Sequence, residues 1–351
     1  MKRTNVTGMT LEEMESLMES IGQPKYRAAQ LFNWIYKRAI LSFDEMTNFA
    51  KSLRQQLDNM ADIGYISIEK QVTSTDEQTT KFLFKLKDGL CVESVFMIDG
   101  KRRTVCLSSQ VGCALRCSFC ATGKMGFQRN LSAGEIVDQL LAIQRALNVE
   151  ATNIVIMGMG EPFLNYDEVI KACDIISHDK GIAIGKRKIT ISTSGLVPAI
   201  KRFADEGQRY KLAISLNAAD DEIRNKLMPI NKKYPLNELI NAARYYAAKS
   251  RHRITFEYVM IGGINDRIED ALKLAKLIKG WKCKINIIPY NAIDEKQDPP
   301  SEETMSAFIR PFLKLNVVIS VRRSKGVDIN AACGQLYYKH KENNFILEVD
   351  K

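Results

Sequence analysis

The feature that most constrains the fold is a regular alternation that begins near residue 103. Seven apolar runs, "RTVCLSS", "NIVIMG", "KITIST", "KLAISL", "ITFEYVM", "CKINIIPY" and "VVISVR", are separated by stretches with helical spacing such as "SAGEIVDQLLAIQRAL" and "YPLNELINAARYYAAKS". Strands alternating with helices imply a parallel sheet, because a parallel neighbour is reached only through a long crossover. The alternating segment spans about 220 residues, against roughly 250 for a closed eightfold barrel. An incomplete barrel is therefore predicted. Polar residues mark the strand ends in "MGMGEP", "ISTSG", "SLNAA" and "IPYN", the edge at which such sheets build their sites.

Upstream the pattern differs. Residues 1 to about 60 read as helical: "TLEEMESLMESI" pairs an N-cap threonine with acids in the first turn, and "KYRAAQLFNWIYKRAI" repeats apolar residues at helical intervals. Residues 61–102 hold "YISIEKQV", "TTKFLFKL" and "LCVESVFMI", which alternate apolar and polar side chains as antiparallel strands do. The predicted organisation is a helical domain over 1–60, a β-rich extension over 61–102 and a barrel over 103–351. The chain of 351 residues is 45% hydrophobic and 26% charged, which supports a substantial core. Its start lacks an apolar leader, and no run approaches the roughly 18 apolar residues of a membrane helix. A cytoplasmic location is expected.

Fifty-one Lys and Arg against 41 Asp and Glu leave a net charge of +10, which favours an anionic partner. Basic groups recur at 101–103, 185–188, 251–253 and 322–325. Each alone reads as a solvated face. Four of them near strand ends suit a nucleic acid backbone, which is held by distributed cations.

Four of eight cysteines fall within the fifteen residues from Cys106 to Cys120. In a reducing compartment such clustering points to metal or reactive thiols rather than to disulfides. Cys91, Cys173 and Cys283 lie in apolar surroundings and read as inert core thiols. Cys113, Cys117 and Cys120 form CxxxCxxC, in which three thiolates can hold three irons of a 4Fe-4S cluster and leave the fourth iron open. Structural zinc is the competing use, and it needs a fourth ligand from Cys106, His178, His252 or His340.

With this spacing on the first barrel strand, the chain resembles the radical S-adenosylmethionine (SAM) superfamily. The resemblance implies a partial (β/α)6-type barrel, with SAM chelated to the open iron and cleaved to a 5′-deoxyadenosyl radical. "CLSSQVGCALRCSFCATGKMGFQRNL", "MGMGEP", "STSG", "MPINKKYPL" and "DINAACGQL" occur in that order along almost the whole chain. Together they resemble the radical SAM adenine C-methyltransferases that act on carbon 2 of an adenine in 23S ribosomal RNA and in tRNA. A sister group methylates carbon 8 of the same ribosomal adenine and usually carries "MGMGEA", where this chain has "MGMGEP".

That resemblance implies roles residue by residue. Cys333 matches the cysteine that one SAM methylates and a second SAM activates, so that two SAM are used per turnover. Cys106 matches the thiol that attacks Cys333 to release the product, leaving a Cys106–Cys333 disulfide. Glu93 matches the base that takes the ring proton. Gly158 and Gly160 match backbone close to SAM, and Glu161 matches the acceptor of its ammonium. Ser192, Ser215, Leu216, Asn217 and Asn291 match contacts to its ribose, carboxylate or adenine; the family commonly has histidine where this chain has Asn217. An external reductant such as flavodoxin and a monomeric state are also implied. The helical N-terminal segment, with "KYRAAQ" and "YKR", is expected to grip RNA, and the target base to leave its stack. Two other readings stand beside this one: the carbon 8 enzyme, and a non-catalytic RNA-binding protein braced by an iron-sulfur cluster.

Overall fold

All seven runs of the alternating segment form strands, and the three alternating runs before them form three more. The structure, a computed structural model, describes residues 3–250, 252–293, 297–315 and 317–337. The strands are β1 (Ile66–Thr73), β2 (Thr79–Leu86), β3 (Cys91–Asp99), β4 (Arg102–Leu107), β5 (Asn153–Ile156), β6 (Ile189–Thr193), β7 (Lys211–Ser215), β8 (Thr255–Met260), β9 (Lys284–Pro289) and β10 (Val318–Val321). They make one ten-stranded sheet whose order in space is their order in sequence. β1 to β4 are antiparallel and joined by tight connections. From β4 onward every pairing is parallel, with helices covering the outside.

The change of pattern near residue 102 marks a change of strand direction rather than a break in the sheet. β3 pairs with β4 from Val95 opposite Cys106 to Asp99 opposite Arg102. The period-2 geometry of each strand separates two environments. In β6, Ile189, Ile191 and Thr193 are buried, while Thr190 and Ser192 are only half-buried. The buried set faces the helices; Thr190 lines the cavity inside the barrel.

The helices are set by local signals. Thr10 and Ser132 each complete a capping box, with Glu13 and Glu135 respectively, at the starts of Leu11–Ser20 and Ala133–Leu147. Helix Tyr26–Phe32 continues through a wider turn to Lys37. Its apolar face packs onto the barrel: Phe32 lies 4.8 Å from the His178 ring, and the Asn33 amide donates to the Lys180 carbonyl at 3.2 Å. Burying a side chain such as Phe32 contributes about 1.5–3 kcal/mol, so this segment is docked by its core rather than by polar contacts. Tyr36 of "YKR" is part of that core, accepting from the Gly8 amide and donating to the Met9 carbonyl. Only Lys37 and Arg38 of that stretch face outward.

A final segment, residues 322–337, crosses from β10 to the antiparallel strands. The Lys325 ammonium donates to the Ile98 carbonyl, Asp328 accepts from the Thr75 amide at 2.9 Å, and the Asn330 carbonyl accepts from Lys81 at 3.2 Å. This strap spans the gap that an incomplete barrel leaves between its last strand and its first. Among the described residues, no helix is long and apolar enough to cross a membrane.

Candidate active site

Cys106 lies on β4, and Cys333 on the strap, yet both open on one cavity of about 700 Å³ inside the barrel. Cys120, the third cysteine of CxxxCxxC, lines the same space. Cys106 is buried in the strand, and burial pushes its thiol up to about 12, with Cys333 adding to the rise and Arg322 opposing it. Cys333 is enclosed by protein but accessible from the cavity. Burial raises its thiol too, and the Arg322 guanidinium pulls it back. The three groups are therefore close enough to feel one another's charge.

The loop carrying Cys113, Cys117 and Cys120 follows β4 and is framed by a short antiparallel ribbon, Gln110–Gly112 with Phe127–Asn130. Cys113 is held by its amide to the Gly126 carbonyl at 2.8 Å, and Cys120 by its amide to the Cys117 carbonyl at 3.2 Å. Burial raises the Cys117 thiol, and next come its neighbours Cys120 and Cys113. Among the described residues no three His, Cys, Asp or Glu side chains converge on a single ion. Three thiols on one loop suit three irons of a cluster, whereas a structural zinc would need a fourth ligand. Of the histidines, His178 packs on Phe32, His252 lines the cavity, and His340 lies outside the described residues. Cys91, Cys173 and Cys283 are buried away from this cavity.

Beside the loop, Gly160 sits at φ +103°, and a Cβ there would come within 2.6 Å of Gln110. Only glycine lets this strand end lie against the extension of β4. Glu161 is buried, which raises its carboxyl; one oxygen accepts from Phe163 and the other from the Ser194 amide at 2.8 Å. Ser192 and Ser215 are half-buried at the ends of β6 and β7, with Leu216 beneath them. Asn217 adopts a left-handed backbone, φ +58°, and turns its side chain inward, accepting from Val259 at 2.8 Å and donating to the Met228 sulfur. Its side chain is thus occupied by the fold. The Asn291 amide donates to the Cys333 carbonyl at 3.0 Å and so positions the strap.

Glu93, on β3, is buried beneath that strap. One carboxylate oxygen meets Lys81 at 3.0 Å, and the other accepts from the Tyr337 amide at 2.9 Å. Burial raises its pKa and Lys81 opposes the rise.

Three supporting residues carried no short-range sequence signal. Arg224, fully buried, donates to the carbonyls of Ser194, Ser215 and Leu216 and to Asn231. Asn231 belongs to "MPIN", the one pointer to this bracket in the sequence. Asn265 donates to the Asn217 carbonyl at 2.7 Å and fixes that turn. Lys81 ties Glu93 to the strap.

Comparison with known proteins fits this geometry. Residues 107–275 match the model of the Radical SAM superfamily, and residues 4–63 match the Ribosomal RNA large subunit methyltransferase N-terminal domain. A protein of Alkaliphilus oremlandii named probable dual-specificity RNA methyltransferase RlmN is 46% identical over 98% of this chain and 100% of its own. A protein of the same name from Thermoanaerobacter sp. is 47% identical over 96% of this chain and 98% of its own. The crystal structure of a radical SAM methyltransferase from Sphaerobacter thermophilus superposes with a TM-score of 0.91, at 43% identity, over 95% of this chain and 99% of that one. Family membership implies a 4Fe-4S cluster and SAM. A cluster loop, a second pair of thiols on the same bore and this likeness along nearly the whole length place the chain in the RlmN family of radical SAM RNA methyltransferases.

Proposed function

We propose that the protein methylates carbon 2 of an adenine in 23S ribosomal RNA, in the peptidyl transferase centre, and of an adenine next to the anticodon in tRNA. The observation that carries this reading is that Cys106 and Cys333, far apart in sequence, face one cavity together with Cys120 of the cluster loop. A cluster that only braced the fold would need neither thiol. "MGMGEP" supports carbon 2 over carbon 8, and the dual specificity in the relatives' names supports both RNAs.

When bound, the cluster and SAM supply a 5′-deoxyadenosyl radical, and a second SAM supplies the methyl group. Cys333 Sγ takes that methyl group and loses its proton. The S-methyl carbon then gives up a hydrogen atom and bonds to carbon 2 of the adenine. Glu93 takes the carbon 2 proton, and the electron left on the adduct would return to the oxidised cluster that Cys113, Cys117 and Cys120 would hold. Cys106 Sγ attacks Cys333 Sγ; the sulfur–carbon bond breaks with its electron pair on the product carbon, which is protonated to methyl. An external reductant such as flavodoxin feeds the cluster, and the resulting disulfide is reduced before the next turnover. Both thiols, the base and the cluster loop come from one chain, so a monomer suffices. We assign residues 1–60 as an RNA-binding accessory domain, because Lys25, Lys37 and Arg38 face outward from its docked core. An RNA substrate places the work in the cytoplasm.

The test is anaerobic. The reconstituted protein is given SAM, reductant and unmodified 23S rRNA or tRNA, and nucleosides are resolved by mass spectrometry. 2-Methyladenosine supports the reading; 8-methyladenosine overturns the choice of carbon; SAM cleavage without any methylated RNA overturns the proposed substrates.

A further inference from the structure

Four cations ring one end of the barrel. Arg102 opens β4, Lys211 opens β7, Arg253 stands just ahead of β8 and Lys284 opens β9, and all four line the cavity that reaches Cys106 and Cys333. Since β4 to β10 run parallel, their starts share one end of the barrel, opposite the cluster loop that follows the far end of β4. Among the described residues no hydrogen bond or ion pair engages these four side chains, whereas nearby Lys325 pairs with Asp99 and Arg323 with Glu302. Lys211 is held below the usual lysine range, by burial first and then by Arg102 and Lys284. Glu257 and Asp99 line the same cavity, and Glu257 is buried and feels Lys284, but the cations outnumber them, and an anion seated among like charges relieves their repulsion.

Two other sides of the cavity are crossed by bonded segments. At the carboxyl end the cluster loop and the strap are bonded together, Ala121 to Gly334 and Thr122 to Leu336. Across the open side the strap is tied down through Asp328 and Asn330. Three of the four basic groups of the sequence contribute to the remaining opening: Arg102, Arg253, and Arg323 with Lys325.

We propose that RNA docks on this amino-terminal mouth, with the phosphates flanking the target on Arg102, Lys211, Arg253 and Lys284, and that the flipped adenine travels up the bore from there to Cys333. This rests on the RNA-methylating function proposed above. It assigns the basic strand starts to RNA and makes the N-terminal helical segment a secondary contact. Extrusion of a base into a pocket needs its neighbouring phosphates held at the pocket's rim, and the collar supplies that rim.

The test uses the full-length, cluster-loaded protein and an unmodified transcript of the target hairpin. Lys211→Gln combined with Lys284→Gln removes two charges without touching the thiols. The slope of log affinity against log salt should fall by about 1.4, at roughly 0.7 per single-strand phosphate contact. Binding near 0.1 M salt should weaken roughly tenfold to thirtyfold, and the loss should close towards 1 M. RNA-independent SAM cleavage should be unchanged. Wild-type affinity and slope in this variant would overturn the proposal, as would a weakened affinity with the wild-type slope, which signals altered folding instead. Slower cluster reduction with unchanged RNA affinity would reassign the mouth to an acidic reductant protein. Independently of any variant, photocrosslinks from 4-thiouridine beside the target should fall on the segments around Lys211 and Arg253; crosslinks confined to the N-terminal helices would overturn the route. If wild-type protein methylates no RNA but binds it through Lys211, the proposed function fails and the docking site stands.

Discussion

The Ala121 amide donates to the Gly334 carbonyl at 2.7 Å. Ala121 follows Cys120, and Gly334 follows Cys333, the cysteine proposed to carry the methyl group, so one hydrogen bond fixes the loop and the strap against each other. Gly334 lies at φ +86°, and a Cβ there would stand 3.0 Å from the Phe119 carbonyl. Gly334→Ala is therefore expected to be strained in its backbone and crowded against the cluster loop. Methylation should drop on the order of a hundredfold, since small misplacements of reacting groups carry costs of that size. Cluster content and SAM cleavage should remain near wild type. Iron quantification, 5′-deoxyadenosine yield and methyladenosine yield, measured on one preparation, check this.

Glu93 has to be ionised to act as a base. Burial raises its pKa above the ordinary carboxylate value, and Lys81 at 3.0 Å works in the opposite direction. Proton abstraction should therefore rise with pH through a midpoint above that of an exposed glutamate. Lys81→Met removes the counter-charge, so the midpoint should move to higher pH, with the plateau lowered because the Asn330 anchor is lost as well. For stability the sign is set by the same shift. A carboxyl whose folded pKa is raised favours the fold below its unfolded pKa, and that contribution disappears as pH rises through the folded value. The variant should accordingly lose more melting temperature at pH 8 than at pH 5. A pH profile of single-turnover methylation and paired thermal melts measure both effects.

Arg224 binds no expected ligand, yet it gathers the carbonyls of Ser194, Ser215 and Leu216, next to the residues proposed to contact SAM. Burial holds its guanidinium down at about 10. Arg224→Met keeps the volume and removes the donor to the Ser194 and Ser215 carbonyls and to Asn231, while the Leu216 carbonyl keeps the Ala218 amide; an unmet buried acceptor costs about 1–3 kcal/mol. The variant should be destabilised by about 3 kcal/mol or more and should bind SAM more weakly, while its RNA affinity stays the same. Denaturant melts together with SAM and RNA titrations separate the outcomes, and an equal loss in both affinities would point to general unfolding.

Elements with local signatures were legible in the sequence. Strand periodicity located all ten strands of the sheet, and a capping residue located the helix start at Thr10. CxxxCxxC stood out for the same reason: its cysteines are three and four residues apart. Long-range partnerships were not legible. Periodicity says that Glu93 has an inward or outward face, but not that its oxygens meet Lys81 and a backbone amide 244 residues away. Nor does the motif position of Asn217 announce its positive φ or the bond its side chain accepts from Val259. The strap from 322 to 337 has little regular structure, so no period announces it, and only its anchors reveal that it spans the open side of the barrel.

The depth of Cys106 predicts how the reaction ends. Its thiol is pushed up to about 12, mainly because the folded strand excludes water around it. The thiolate is the nucleophile in thiol–disulfide chemistry, so near neutral pH only a small fraction of molecules is ready to attack Cys333. Release of the methylated base should then be slow and should accelerate about tenfold per pH unit between 7 and 9 without reaching a plateau, as follows for a thiol titrating well above that range. Cys106→Ala removes the attacking sulfur altogether and should trap RNA covalently on Cys333, visible as a protein–RNA band in denaturing gels that survives heat. Adding Cys333→Ala to that variant should abolish the band. Free turnover by the Cys106→Ala protein would show that another group performs the release, and a pH-independent release rate in the wild type would show that the Cys106 proton is removed by a neighbour before the attack.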